Sequence, residues 1–285
     1  MKNVFIIGAG PAGISAALYL KRAGIDVHVL YLDKTSLELA HKIDNYYGTP
    51  GISGKELYET GLRQAADLDI GLHREEVFSI DIGERFLITT DQGQHEADTL
   101  ILATGAWRNR PSIPGIREYE GKGVSYCAVC DGFFFRRIDV AVLGNSAYAF
   151  HEAEYLKHIA NSVTILTDGK EIDEEELLSF PVYTGKIREV KGDAKIRGVV
   201  FENGEELTLD ALVVAVGQAG SADLARKAGI LISENGKIPV NEDRETSVPG
   251  IYAIGDAVEG KMQVAKAVYD GMCAADAIIR KFRGS

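Results

Sequence analysis

The chain has 285 residues, 46% of them hydrophobic, and this length exceeds one ordinary core, so two domains are predicted. Its 42 acidic and 31 basic residues give a formal charge of -11, which disfavours nucleic acid and anionic membranes as partners. The chain has no apolar run of membrane-spanning length, and its three cysteines are too few for a disulfide scaffold. The first strand starts at once, so we expect no signal peptide and a cytoplasmic location.

The first motif joins a strand to a helix at the start of the chain. A β-branched and aromatic run predicts a buried strand over 4–7, and a helix is predicted over 14–22. The turn between them matches the G-x-G-x-x-G pattern, in which glycines allow a tight turn, close approach of a pyrophosphate and close helix packing. The six residues of this turn are Gly8, Ala9, Gly10, Pro11, Ala12 and Gly13. The motif predicts a dinucleotide at the helix N-terminus.

The same order of elements recurs in the second half of the chain. A buried strand over 138–143 is followed by a turn and an amphipathic helix that extends to about residue 159. Each half then contains a hairpin-like stretch and closes with a strand that ends in glycine, at Gly105 and Gly217. The sequence therefore predicts an α/β protein with two Rossmann-like (three-layer ββα) nucleotide-binding-type domains.

The last part of the chain does not belong to the second copy. A strand ending at Asp256 and a helix over about 263–282 are expected to complete the first domain, so that the second is inserted in the first. Prolines near both junctions are typical of linkers. The predicted domains are a discontinuous one over 1–112 and 242–285, and an inserted one over 113–241.

Cys127 and Cys130 form a C-x-x-C pair in the inserted domain. Such a pair opens and closes a disulfide with little backbone movement, and the spacing also fits half of a zinc site. The only other cysteine is Cys273, and no second ligand pair lies at zinc spacing, so we expect redox chemistry and no metal.

These motifs together resemble the low-molecular-weight thioredoxin reductases from end to end. The resemblance is carried by the first glycine turn, the run Asn-Tyr-Tyr-Gly-Thr-Pro-Gly-Ile-Ser-Gly from Asn45, Ala-Thr-Gly at 103–105, Cys-Ala-Val-Cys-Asp-Gly-Phe-Phe from Cys127, and Gly-Asp at 255–256 with Gln263. It implies FAD in the first domain, a redox-active disulfide in the inserted domain, thioredoxin as partner and a homodimer.

The resemblance also implies roles for the cysteine motif. Cys130 would face the flavin, Cys127 would attack the disulfide of thioredoxin, and Asp131 would donate or accept the proton. Physical chemistry agrees, because only a thiolate attacks a disulfide and the leaving sulfur needs a proton. A turn or helix cap is the alternative interpretation of Asp131.

The FAD site implied by the resemblance collects residues from several parts of the first domain. The acid that often follows the second strand of such folds is displaced: Tyr31 occupies its position, and Asp33 lies two residues later. Either Asp33 reaches the ribose or backbone groups hold the adenosine. The expected cofactor-binding residues are Gly8, Gly10, Pro11, Ala12, Gly13, Asp33, Asn45, Ala103, Thr104, Gly105, Asp256, Gln263 and Val264.

The second glycine turn departs from the family pattern. Ser146 replaces the middle glycine, and its Cβ lies where a pyrophosphate would approach. The strand over 163–167 ends at Asp168 with no arginine, and acidic residues 174–176 follow, which would repel a 2′-phosphate. NADPH is therefore not expected to bind. Asp168 stands near the position of a ribose-binding acid, so NADH remains an alternative.

Without a nicotinamide donor, electrons must arrive from another source. The chain resembles the pyridine-nucleotide-independent branch of the family, in which reduced ferredoxin supplies FAD with single electrons. A ferredoxin is usually acidic and needs a basic surface, for which two groups are candidates: Arg108, Arg110 and Arg117, or Arg136 and Arg137. Our hypothesis is a ferredoxin-dependent thioredoxin reductase. The alternatives are an NADH-dependent thioredoxin reductase, an oxygen-dependent flavin dithiol oxidase and a non-catalytic flavoprotein sensor.

Overall fold

A computed structural model describes the chain in five segments, over residues 2–33, 35–105, 111–129, 131–233 and 235–284. Contacts divide the chain into two compact units. Unit 1 comprises Met1–Trp107 and Gly220–Ser285, and unit 2 comprises Arg108–Ala219. Within the described segments, no helix has both the length and the apolar character needed to cross a membrane.

The helices and strands follow one another in three stretches of chain. The first stretch of unit 1 contains β1 (Asn3–Ile7), α1 (Pro11–Arg22), β2 (Asp26–Tyr31), α2 (Gly54–Asp67), β3 (Gly71–Arg74), β4 (Val77–Ile82), β5 (Phe86–Thr90), β6 (Gly93–Ala97) and β7 (Thr99–Leu102). Unit 2 contains β8 (Val124–Ser125), β9 (Asp139–Leu143), α3 (Ala147–Lys157), β10 (Ser162–Leu166), β11 (Val182–Tyr183), β12 (Ile187–Gly192), β13 (Ile196–Phe201), β14 (Glu206–Thr208) and β15 (Ala211–Val214). The second stretch of unit 1 contains α4 (Ser221–Lys227), β16 (Ile251–Ala253) and α5 (Val264–Arg283).

The two units share one plan. Unit 1 has a parallel sheet in the order β16-β7-β1-β2-β3, and unit 2 has one in the order β8-β15-β9-β10-β11. Each also has a three-stranded antiparallel sheet, β4-β5-β6 in unit 1 and β12-β13-β14 in unit 2. The predicted α/β fold with two Rossmann-like domains is confirmed, and β16 joins the sheet of unit 1 from the far end of the chain.

The contacts divide the chain differently from the expected boundaries at 112/113 and 241/242. The second boundary falls after Ala219, because residues 220–241 pack within unit 1. Lys227 on α4 donates from Nζ to the carbonyl of Phe78 at 2.9 Å, and the N–H of Ile238 donates to the carbonyl of Ala257 at 2.9 Å. A seven-residue helix has too few turns to display a pattern that would have assigned it to either domain.

Close packing of α1 against α5 supports the glycine turn of unit 1. Gly271 on α5 lies so near α1 that an added Cβ would be 2.3 Å from the carbonyl oxygen of Ala12. Ser15 on α1 donates from Oγ to the carbonyl of Val268 at 2.8 Å. Small residues at this crossing let the two helix backbones approach, which fixes where α1 begins.

A polar cluster lies between the two sheets of unit 1. His28 Nδ1 and His73 Nε2 are 3.0 Å apart, and His95 Nε2 is 2.7 Å from Glu75 Oε2. The ring of Phe5 stacks on His28 with centroids 4.6 Å apart. Burial, together with the neighbouring His28, lowers the pKa of His73 below its usual value. These contacts between imidazoles join β2 and β3 to β6.

Candidate active site

The first glycine turn of unit 1 has the shape of a phosphate cradle. Gly8 has φ +113°, and a Cβ there would be 2.5 Å from the carbonyl oxygen of Ala103. A Cβ at Gly13 would be 1.9 Å from the carbonyl oxygen of Gly8, so strand and helix meet backbone to backbone. At Gly10, the N-cap of α1, an added Cβ would meet no described heavy atom within 4 Å, and no described side chain caps the helix. Open space before an uncapped helix N-terminus fits a pyrophosphate.

A second turn of unit 1 lies against this cradle. Gly255 has φ +67°, and an added Cβ would be 2.9 Å from the Cβ of Ala12 at the start of α1. Asp256 lies in the short 3₁₀ turn Gly255–Ala257, directly after the glycine that packs against the start of α1. Its backbone carbonyl accepts a hydrogen bond from Lys237 Nζ at 2.5 Å. The site residues expected from β7 and β16 thus meet those of the glycine turn at the carboxyl edge of the sheet.

Asp270 holds this second turn in place, and sequence reasoning missed it. Its carboxylate is fully buried on α5 and accepts from the N–H of Gly255 at 3.1 Å, from Lys266 Nζ at 2.8 Å and from Arg244 Nε at 2.9 Å. Lys266 Nζ also donates to the carbonyl of Gly255 at 2.6 Å. The available signal was the Lys266–Asp270 spacing of four residues, which places both side chains on one helix face.

The remaining expected cofactor residues fall into three groups. Asn45 Nδ2 donates to Gln263 Oε1 at 2.8 Å, and Gln263 is the N-cap of α5, which Val264 begins. Thr104 Oγ1 lies 2.5 Å from Ser221 Oγ, beside Gly105 at φ +75°. Asp33 forms the third group by itself. Its carboxylate is 2.5 Å from Arg74 Nη2, and that ion pair is largely exposed.

The cysteine motif of unit 2 begins at a buried residue. Cys127 is 2% exposed and belongs to a disulfide, whereas Cys273 on α5 is free. Cys130 lies outside the described residues, so its pairing with Cys127 stays a prediction. The N–H of Asp131 donates to the carbonyl of Cys127 at 3.3 Å, which closes one turn across the motif. In the described part of the chain, no three His, Cys, Asp or Glu side chains are arranged to hold a metal.

Ser125 connects the cysteine turn to Asp131, and the sequence analysis did not single it out. Its hydroxyl donates to Asp131 Oδ2 at 2.6 Å, and its Oγ accepts from the N–H of Cys127 at 3.1 Å. The second contact is a hydroxyl turn between residues two apart, a common local pattern for serine. The Asp131 carboxyl group is therefore held by a side chain at the motif.

Glu152 on α3 makes a further contact that sequence reasoning missed. Its side chain is fully buried, and Oε2 accepts from the N–H of Ala128 at 2.9 Å. A buried carboxyl group requires such a partner. Nothing in the sequence pattern connects this helix to the cysteine turn, because the contact is made across 24 residues.

Two phenylalanines beside the motif are unusually exposed. Phe133 and Phe134 are 74% and 73% exposed, and their rings meet edge to face with centroids 5.9 Å apart. Arg136 lies over the ring of Phe133 at 5.4 Å, while Phe135 is buried and anchors the segment. Exposed aromatic residues of this kind are typical of a surface that contacts another protein.

The second glycine turn is closed by side chains and backbone of unit 2 itself. Asn145 donates from Nδ2 to the carbonyl of Glu171 at 2.8 Å and to Asp173 Oδ2 at 3.0 Å, and its own carbonyl accepts from the N–H of Asp173 at 2.8 Å. Ser146, the N-cap of α3, donates from Oγ to the carbonyl of Gly217 at 2.8 Å. The loop after β10 is thus bonded to the residue that precedes the N-cap of α3, in the turn that a pyrophosphate would have to approach.

Asp168, the one candidate for a ribose-binding acid in unit 2, is already engaged. Oδ2 is 2.9 Å from Lys186 Nζ, and Oδ1 accepts from the N–H of Ile187 at 2.9 Å. Its φ of +52° belongs to a tight turn with Gly169. Both carboxylate oxygens of Asp168 thus already have a partner, and a ribose diol would have to share them.

Comparison with known proteins agrees with this architecture. Residues 2–179 and 181–271 match the model of the pyridine nucleotide-disulphide oxidoreductases, a class of two-domain flavoenzymes. A thioredoxin reductase of Aquifex aeolicus is 34% identical over 98% of this chain and 93% of its own length. Among solved structures, an atypical thioredoxin reductase from Desulfovibrio vulgaris Hildenborough is 38% identical with a TM-score of 0.91, covering 99% of each chain. A ferredoxin-flavin thioredoxin reductase from Clostridium acetobutylicum is 31% identical with a TM-score of 0.76, over 99% of this chain and 98% of its own.

The chain therefore belongs to the thioredoxin reductases within the pyridine nucleotide-disulphide oxidoreductase family. The predicted cofactor, FAD, is confirmed by this membership. The cradle at Gly10 and the uncapped start of α1 fit its pyrophosphate.

Proposed function

We propose that the protein reduces thioredoxin through FAD held by unit 1 and a Cys127/Cys130 dithiol of unit 2, with reduced ferredoxin as electron donor. The observation that carries the choice of donor is the closed second turn, where Asn145 and Ser146 bond to the chain's own loops. The relative from Clostridium acetobutylicum, a ferredoxin-flavin enzyme, supports it. The proposal includes a cytoplasmic homodimer.

The residues of unit 2 would share the thiol chemistry. Bound FAD supplies a two-electron reductant that can be loaded one electron at a time. Reduction of the disulfide takes two electrons and two protons and yields two thiols. The Cys127 thiolate then attacks the disulfide of thioredoxin, Cys130 resolves the mixed disulfide, and Asp131 handles the proton at the leaving sulfur. Ser125 orients Asp131 for that transfer.

The residues of unit 1 would hold the cofactor. The N–H groups at the start of α1 would bind the pyrophosphate, and the Gly255 turn, fixed by Asp270, would place Asp256 beside it. Asn45 and Gln263, which are bonded to each other at the start of α5, would present amide groups to the flavin. With Asp33 paired to Arg74, the adenosine would be held mainly by backbone groups.

Anaerobic spectroscopy of the flavin tests the donor. We expect reduced ferredoxin to bleach the flavin absorbance, and NADH and NADPH at micromolar concentrations to leave it unchanged. Cys130→Ser should abolish thioredoxin reduction while FAD stays bound and reducible by ferredoxin. Rapid bleaching by either nicotinamide would refute the donor assignment, and turnover in Cys130→Ser would refute the dithiol.

The two alternative enzyme classes, an NADH-dependent reductase and a dithiol oxidase, predict results that differ from those of a ferredoxin-dependent reductase. An NADH-dependent reductase would bleach with NADH alone, which requires Asp168 to leave Lys186 and Ile187. A dithiol oxidase would produce peroxide from dithiols in air.

A further inference from the structure

Arg244 of unit 1 adopts a backbone conformation that disfavours a side chain. Its φ of +65° lies in the left-handed region, where glycine is the usual residue. Its N–H donates to the carbonyl of Asn241 at 3.0 Å, and its carbonyl accepts from the N–H of Ala253, at the end of β16, also at 3.0 Å. An arginine at a position suited to glycine indicates that its side chain makes a contact that offsets the strain.

That contact is with the buried carboxylate of Asp270. Arg244 Nε donates to Asp270 Oδ1 at 2.9 Å, and the guanidinium lies over the ring of Tyr269, 5.9 Å from its centroid. The other carboxylate oxygen, Oδ2, accepts from Lys266 Nζ at 2.8 Å and from the N–H of Gly255 at 3.1 Å. Arginine and lysine thus place two cations on one carboxylate that has no access to solvent.

The guanidinium determines how this carboxylate is oriented. With Oδ1 bound to Arg244, Oδ2 faces the N–H of Gly255, in the turn that packs against the start of α1. Removal of one cation from a buried ion pair is costly, and the carboxylate lowers that cost by turning toward the space that the guanidinium leaves. The N–H of Gly255 then loses its acceptor. Arg244 is therefore connected to the proposed cofactor cradle through one residue, Asp270.

We propose that Arg244 is a positioning residue for FAD, which acts through Asp270 to keep the Gly255 turn at the N-terminus of α1. The proposal rests on the proposed function, in which unit 1 holds the pyrophosphate at Gly10 and Asp256 lies beside it. It assigns part of the affinity for FAD to the ion pair that orients the turn. No covalent bond changes in this role, so the affinity for FAD is its measure.

Release of FAD from the holoenzyme tests this role. The protein is diluted to nanomolar concentrations, and the rise in flavin fluorescence gives the dissociation constant of FAD. Arg244→Gly removes the guanidinium, while glycine accepts the φ of +65° without strain, so the backbone of the turn is preserved. We expect the dissociation constant of FAD to rise about tenfold in this variant.

A conservative variant separates positioning from the backbone contribution of this residue. Arg244→Lys keeps a positive charge beside Asp270 and should recover most of the affinity for FAD, although lysine is as unfavourable as arginine at this φ. A role of the backbone alone predicts the opposite order, with the glycine variant binding FAD at least as tightly as the lysine variant. Equal affinity of the two variants would overturn the proposal.

Arg280→Ala is the matched control. Arg280 connects α5 to the residue before Arg244, since its Nη2 donates to Asp243 Oδ1 at 2.6 Å in an exposed position. Its removal loosens the same turn without changing the charge on Asp270, so the affinity for FAD should equal that of the parent protein. An equal loss of affinity in Arg280→Ala and Arg244→Gly would overturn the specific role of Arg244.

Gly10→Asp distinguishes failure of this proposal from failure of the FAD site on which it rests. Aspartate is a favourable N-cap, so α1 should form, but its carboxylate would repel a pyrophosphate and FAD should be released. Tight binding of FAD by Gly10→Asp would refute the placement of the cofactor, and with it the role of Arg244. Release of FAD by Gly10→Asp together with parent-like affinity in Arg244→Gly would overturn the role of Arg244 alone.

Discussion

Single residues outside the C-x-x-C pattern organise the chemistry of the cysteine turn. Asp131 had two interpretations, a proton-transfer group or a turn residue, and its carboxylate is found bound to the hydroxyl of Ser125 at 2.6 Å. The same hydroxyl oxygen receives the N–H of Cys127. One side chain thus contacts both the sulfur-bearing residue and the candidate acid, and proton transfer by Asp131 stays a prediction.

Removal of this hydroxyl should slow thioredoxin reduction. Ser125→Ala frees the Asp131 carboxylate to adopt other rotamers and loses one short hydrogen bond, so we expect kcat to fall about tenfold. FAD content should not change, since Ser125 belongs to unit 2. Ser162→Ala is a suitable control, because Ser162 also donates to an aspartate, Asp139, at 2.6 Å, but both residues are exposed at the starts of β10 and β9. Equal kcat in both variants would exclude Ser125 from the proton path.

Whole elements determine whether the cofactor cradle forms. The N-terminus of α1 is placed by its crossing with α5, where Gly271 brings the two backbones together. α5 in turn carries Asp270, which holds the Gly255 turn against α1. Two helices more than 200 residues apart in the chain therefore build the proposed phosphate site.

A methyl group at the helix crossing should disturb this site. Gly271→Ala places a Cβ 2.3 Å from a backbone oxygen of α1, so the helices must separate, and we expect a loss of about 1–3 kcal/mol in unfolding free energy. FAD should also be retained less tightly, as measured by flavin fluorescence on dilution. In Gly61→Ala on α2, the Cβ would make an ordinary 3.5 Å contact with Ile14, and helix propensity predicts a gain of up to about 1 kcal/mol. Similar behaviour of the two variants would contradict the close-packing argument.

The charge of the whole molecule limits which protein could act as the electron donor in the proposed function. A net charge of -11 repels an acidic ferredoxin at long range, so a local basic surface is needed for productive encounter. Of the candidates, Arg117, Arg136 and Arg137 are exposed in unit 2, while Arg108 and Arg110 lie outside the described residues. Arg136 also lies over the exposed ring of Phe133, next to the cysteine motif.

Charge reversal at Arg136 should slow reduction by ferredoxin. Arg136→Glu adds repulsion at the proposed docking surface, so the second-order rate of flavin bleaching should fall severalfold at low ionic strength and recover toward the parent rate as salt is raised. Arg197→Glu is the control, since Arg197 is exposed and paired with Asp193 away from the motif. A rate for Arg136→Glu that matches the control at every salt concentration would place the donor elsewhere.

Much of the fold could be predicted because its signals are local. Glycines at 8, 10 and 13 between a strand and a helix specify the cradle by backbone sterics, and the repeated order of elements indicated the second domain. The serine at 146 predicts a blocked second turn, because its Cβ occupies space wherever the chain folds. Element ends were less predictable: α1 begins at Pro11, three residues before the predicted start, and α4 was not anticipated.

The sequence by itself determined the class of chemistry, since residue types and spacing select a flavin site and a pair of thiols. Only the tertiary structure decided which loop bonds to the second glycine turn, which side chain binds the Asp131 carboxylate, and which buried side chain contacts the cysteine motif. Those answers depend on the 171–173 loop, on Ser125 and on Glu152, whose partners are chosen by folding. The physical reason is that hydrogen bonds between distant segments follow from packing, which no local pattern encodes.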